Sequence, residues 1–176
     1  MTASATHTGA LLVTGARARS VLMEGIASGL LGALAVALWF FLRDLLEGQP
    51  LHTPGALGQS LAALLEGRAA RAAAPGDSFP GSLVFIYSVV HGLAFIAAGI
   101  GCALVLDFGR RNPGWELYAV LFLATLGMWS TFLGMMLVGV IFEAVTIVDI
   151  LIAHLLAALA MGAYFWRRHP EVREGV

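Results

Sequence analysis

Between Leu83 and Leu106 the chain reads LVFIYSVVHGLAFIAAGIGCALVL, without a single Asp, Glu, Lys or Arg. A run of this length and character has few ways to fold. A helix rises about 1.5 Å per residue, so about 20 apolar residues cross the hydrocarbon of a bilayer. A helix apolar on every side has no solvated face to present in a small soluble domain. Lipid offers backbone N–H and C=O groups no partner, so a spanning segment satisfies them internally, as a helix does. Three further stretches have the same character, about 21–46, 115–141 and 147–166. Composition agrees: of 176 residues, 59% are hydrophobic and 12% charged, against about 25% charged in a soluble domain. The expected fold is all-α, a polytopic membrane protein with a bundle of four transmembrane helices, spanning 21–46, 83–106, 115–141 and 147–166.

Helix signals support these boundaries. Gly109 suits the C-cap of the second span. Asn112, Pro113 and Glu116 give the third an N-cap, a proline at the first helical position and an acid at the positive end of the dipole. Thr146 and Asp149 have the spacing of a capping box before the fourth. In the first, Gly25, Gly29 and Gly32 place small residues on adjoining turns, where another helix can approach closely. Glu24 reads as a compensating charge in that span's first turn.

Arginine placement orients the chain. Arg17, Arg19, Arg110, Arg111, Arg167, Arg168 and Arg173 fall on one side of a four-span protein, and only Arg43, Arg68 and Arg71 on the other. The positive-inside rule then places both termini in the cytoplasm. Residues 1–20 read as a flexible cytoplasmic tail and 167–176 as a basic one. The first outer-side loop, about 47–82, is long enough to hold structure of its own. Within it Thr53 is a plausible N-cap and Pro54 the first helical residue. Leu57, Leu61, Leu64 and Leu65 follow at helical spacing, predicting an amphipathic helix over 54–74 that lies on the outer membrane surface or caps the bundle.

Several functions are excluded or disfavoured. With a net charge of -1, no overall field recruits nucleic acid. There is no GxGxxG, Walker loop, HExxH or GxSxG, so neither a nucleotide nor a hydrolase nucleophile is indicated. Cys102 is the single cysteine, which rules out an intrachain disulfide and a CxxC or CxxCH motif. The acids lie near span ends, unlike the deep carboxylates of proton relays.

Two histidines remain inside spans. Counted from Ser82 and Thr146 as N-caps, His91 lies nine residues in and His154 eight, roughly 12–14 Å below the outer end. On neighbouring helices they could face one another, as in a bis-histidine haem or half of a copper or zinc site. Met135 would add a soft donor suited to Cu(I). Thr131 falls near the same depth, Tyr87 and Ser88 share the helical face of His91, and Glu143 and His52 would form an outer shell. Each histidine also has a plain packing reading, as a polar side chain bonded within the bundle.

Three stretches, GIASGLLGALAVALWFFLRDLLEGQPLHTPGALG, YSVVHGLAFIAAGIG and AHLLAALAMGAYFWRRHP, together resemble small, uncharacterised four-span proteins of the bacterial inner membrane. The resemblance covers most of residues 25–170 and implies a polytopic helical fold and a bacterial origin. It brings no catalytic residue. The leading expectation is a non-enzymatic inner-membrane protein, an accessory, assembly or scaffolding subunit whose partners are the lipid bilayer and other membrane subunits or copies of itself. The rival, of another class, is a haem- or metal-binding redox protein using His91 and His154. A small channel or permease lined by the Tyr87, Ser88 and His91 face is a lesser alternative.

Overall fold

The computed structural model describes residues 3–69, 73, 76–112, 114, 115, 127 and 145–169. Their helices are α1 (Ala3–Leu46), α2 (His52–Leu65), α3 (Gly81–Arg111) and α4 (Ile147–Arg168), and the described residues contain no strand. Three helical stretches are long and apolar enough to cross a membrane: Arg17–Leu46 of α1, Gly81–Arg111 and Ile147–Arg168. The chain is accordingly a helical membrane protein. The span expected at 115–141 lies outside the described residues except for Trp115 and Gly127.

Glycines decide how α1 meets α3. A Cβ on Gly25 would stand 2.5 Å from the Ile100 Cα, and one on Gly29 would stand 2.7 Å from the Ile96 Cα. Gly99 answers from α3, where a Cβ would lie 2.8 Å from the Gly29 Cα. The Gly25–Gly29 spacing is that of a GxxxG face, which lets two backbones touch where hydrocarbon outside offers no hydrophobic drive to associate. Gly32 admits both Phe95 of α3 and Met161 of α4. One turn on, Val36, Ala153 and Ala157 form a small core against Trp39, Phe40 and Phe95. Thus α1 is the central helix, with α3 and α4 both antiparallel to it.

Helix ends follow local chemistry. At the end of α1 the Gly48 N–H bonds the Leu45 carbonyl and the Gln49 N–H bonds that of Asp44, with Gly48 at φ +73. This is a Schellman motif, and glycine supplies the left-handed residue without a Cβ penalty. The same pattern ends α2 at Gly67, where the Gly67 and Arg68 N–H groups bond Leu64 and Ala63. The Thr146–Asp149 capping box expected for α4 is present, with Asp149 N–H to Thr146 Oγ1 at 3.3 Å and Thr146 N–H to Asp149 Oδ2 at 3.2 Å.

Other boundaries differ from expectation. Helix α3 starts after Pro80 and runs through Gly109 to Arg111, ending at Asn112, whose side-chain amide donates to the Phe108 carbonyl at 2.8 Å. Asn112 therefore closes α3. Because α1 begins at Ala3, Glu24 sits mid-helix, away from the dipole's positive end.

The first-loop helix is the main correction. Gly67 stops it well before residue 74, and its contacts do not support an amphipathic surface helix. Thr53, Gly55, Ala56, Gly58, Ser60 and Ala63 are buried, while Leu64 and Leu65 are 58% and 76% exposed. A Cβ on Gly58 would meet the Leu83 backbone, and one on Gly55 would meet the Phe79 ring. Close backbone approach to the start of α3 selects the small residues and turns these leucines outward. Thr53 is not the N-cap either: Leu51 is, in the left-handed region at φ 67 and without a side-chain cap.

Candidate functional site

His91 points from α3 at the backbone of α1. Its Nε2–H donates to the Ala33 carbonyl at 3.3 Å. The ring lies between Tyr87 and Phe95, at centroid distances of 5.5 and 4.8 Å, one turn before and one after it. Ser88, on the same face by spacing, turns its hydroxyl back to the Val84 carbonyl at 2.7 Å. A carbonyl cannot donate, so the ring must carry its proton on Nε2, which leaves Nδ1 as the nitrogen with a lone pair when the ring is neutral.

His154 behaves differently. Its Nδ1–H donates to the Ile150 carbonyl one turn earlier in α4, at 2.8 Å. Its level follows from the α1–α4 register, in which Gly32 meets Met161 and Val36 packs with Ala153 and Ala157. His154 thus falls opposite the Trp39–Phe40 turn, whereas His91 lies opposite Ala33. Those positions are about 9 Å apart along α1 at about 1.5 Å per residue. The equal depth expected from counting caps is not found, because α3 begins near Pro80 and α1 sets the register. Among the described residues, no three of His, Cys, Asp and Glu gather as a metal site requires. Met135, Thr131 and Glu143 lie outside the described residues. His52, in the first turn of α2, packs edge-on against Phe79 at 5.4 Å.

Two charged groupings escape a linear reading, because each joins residues from different helices. At the α1–α2 end, Asp44 is 2% exposed and accepts from the Thr53 N–H at 2.7 Å and the Thr53 hydroxyl at 2.6 Å. Beside it Arg43 pairs with Glu47 at 2.9 Å and with Asp149, the capping-box acid of α4. One turn of α1 thus holds α2 through Asp44 and α4 through Arg43.

At the opposite end a cleft of about 190 Å³ opens between α1, α3 and the end of α4. Asp107 receives Arg17 Nε at 3.0 Å and Nη2 at 2.5 Å on one oxygen, and Arg111 Nη2 at 2.6 Å on the other. Glu24 accepts from Ser20 at 3.2 Å and from His169 Nε2 at 3.1 Å, a link from α1 to the residue just after α4. The sequence signal for this end is the concentration of arginines, which does not give their pairing.

Among the described residues, the buried Ser28 Oγ and Trp39 Nε1 have no hydrogen-bond partner. Ser28 is fully buried in the glycine-lined stretch of α1, and Trp39 lies at the level of His154.

No family model, curated protein or solved structure matches this chain.

Proposed function

We propose that the chain is a multi-pass protein of the bacterial inner membrane, four spans with both termini cytoplasmic, acting as an accessory, assembly or scaffolding subunit of a membrane complex. One observation carries the reading. Among the described residues, the polar side chains most able to do chemistry in or beside the spans are bonded to helix backbone or to side chains of neighbouring helices. His91 bonds the α1 backbone, His154 its own helix, Asp44 binds α2, and Asp149 both caps α4 and pairs with Arg43. Such groups specify packing, because a misplaced partner leaves a polar group in a medium that cannot solvate it.

Surface features fit the same role. Among the described residues nothing stands within 4 Å of where a Cβ on Gly92 or Gly101 of α3 would be, so α3 keeps small positions beyond those used against α1. Positions of this kind allow a helix of another subunit to approach closely. The deciding experiment is purification in a mild detergent, with mass measurement and identification of co-purifying chains. The reading expects a stoichiometric partner or a defined homo-oligomer, and a uniformly monomeric, solitary protein counts against it.

A further inference from the structure

Helix α2 is apolar but short. Residues 48–65 contain no Asp, Glu, Lys or Arg, yet at 14 residues α2 cannot cross a bilayer. Its direction follows from two contacts. A Cβ on Gly55 would stand 2.6 Å from the Phe79 Cβ, just before α3 begins, and one on Gly58 would stand 2.7 Å from the Leu83 carbonyl carbon, inside α3. Three residues forward in α2 thus match four residues forward beside it, so α2 runs alongside α3 in the same sense. Its depth follows from α1. Gly25 meets Ile100 and Gly29 meets Ile96, a register that carries Leu83 to the level of Leu42. Gly58 therefore lies beside the membrane-crossing part of α1, Arg17–Leu46, and not beyond its end.

Past Gly58, α2 runs on to Leu65, up to about 10 Å farther in at about 1.5 Å per residue. This brings Leu64 and Leu65, 58% and 76% exposed, to the level of Val89 and Val90 of α3, which are exposed too. The end of α2 suits apolar surroundings. The carbonyls of Ala62, Ala63 and Leu64 accept from the Glu66, Arg68 and Gly67 N–H groups, so they need no water, which hydrocarbon does not supply. Beyond them Glu66 pairs with Arg68 at 2.7 Å, which offsets both charges, and the long stem of an arginine can carry its head toward the headgroups. The chain has returned by Gly76, whose N–H donates at 3.2 Å to Gln49 Oε1 in the turn between α1 and α2. Entry and exit therefore lie at the same end of the spans.

We propose that α2 is a re-entrant segment, which enters one leaflet beside α3, turns back at Gly67 and presents Leu64 and Leu65 to lipid acyl chains. This rests on α1 and α3 crossing the membrane and needs no partner subunit, so it and the scaffolding role stand or fall separately. The test uses the full chain in liposomes, with Cys102→Ala and one new cysteine at a time carrying a nitroxide label. Collisions of the label with oxygen, which concentrates in hydrocarbon, are compared with those of a water-soluble nickel chelate. Leu93→Cys, at an α3 position that is 60% exposed, sets the hydrocarbon reference, and Pro50→Cys, at an exposed position between α1 and α2, sets the aqueous one. Labels on Leu64→Cys and Leu65→Cys match the Leu93 reference, with oxygen favoured over nickel. Because both leucines are exposed, the labels disturb no packing. As a second measurement, bimane on the same two cysteines is quenched by phospholipid brominated along its acyl chains. A preference for nickel at both positions overturns the proposal, since α2 then stands in water. Exclusion of both reagents also overturns it, since protein, from a partner or a second copy, then covers the leucines.

Discussion

Asp44, near the end of α1, accepts both the backbone N–H and the hydroxyl of Thr53 in the first turn of α2, at 2.7 and 2.6 Å. It acts as an N-terminal cap delivered from another helix. Leu51, two residues before Thr53, stands at φ 67, a conformation that costs a non-glycine residue about 1 kcal/mol or more and persists only when its surroundings impose it.

Asp44→Ala is therefore expected to destabilise the protein by about 2–3 kcal/mol, a lost cap plus two donors left without their acceptor. Thr53→Ala costs about 1 kcal/mol. The two changes remove the same contact, so a double-mutant cycle read by thermal unfolding in detergent should show coupling above about 0.5 kcal/mol. Simple additivity would mean that the contact does not hold α2.

The glycines of α3 separate into two kinds. Gly99→Ala drives a methyl into the α1 backbone and should cost about 2–3 kcal/mol. Gly101→Ala meets nothing within 4 Å among the described residues and should be neutral or stabilising by up to about 1 kcal/mol from helix propensity. Opposite signs at two glycines two residues apart are a stringent check on which face of α3 meets α1. Equal effects in unfolding measurements would contradict the packing described.

The contrast shows what was legible from residue order. Apolar length announced the spanning helices, and the Thr146–Asp149 box placed the start of α4, because both signals are local. The spacing of Gly25, Gly29 and Gly32 announced a close contact but could not say with which helix. Size misled at the end of α2, where Leu64 and Leu65 look like part of the packing face although backbone proximity to α3 requires small residues. The Asp44–Thr53, Arg43–Asp149 and Arg17–Asp107 pairs were invisible for a different reason. Each needs the register between two helices, and that register is set by glycine contacts many residues away. The same dependence undid the matched depth of His91 and His154.

Asp149 has two duties, capping α4 and pairing with Arg43. Asp149→Ala removes both and should cost about 3 kcal/mol or more, since it leaves the Arg43 charge uncompensated on that side. Asp149→Asn retains an acceptor for the cap and should cost clearly less. Arg43→Ala together with Asp149→Asn should be milder than the sum of the two single changes, because neither charge is then stranded. Unfolding midpoints of the four variants, Arg43→Ala alone included, provide the measurement, and a double variant worse than the sum would show that the pair is not what joins α1 to α4.

His91 allows the packing reading to be set directly against the ligand reading. If its task is the bond to the Ala33 carbonyl, His91→Ala loses about 1 kcal/mol, the usual scale for a side-chain bond between helices in a membrane. His91→Gln, which keeps an N–H donor, recovers part of that loss. If His91 instead holds haem, copper, zinc or iron, the wild type shows a Soret band in its reduced-minus-oxidised spectrum or a stoichiometric metal. His91→Ala then removes the signal and glutamine does not restore it. The rescue pattern thus separates the two roles, because a hydrogen bond requires only a donor of the right reach, whereas a metal requires the ring nitrogen's lone pair.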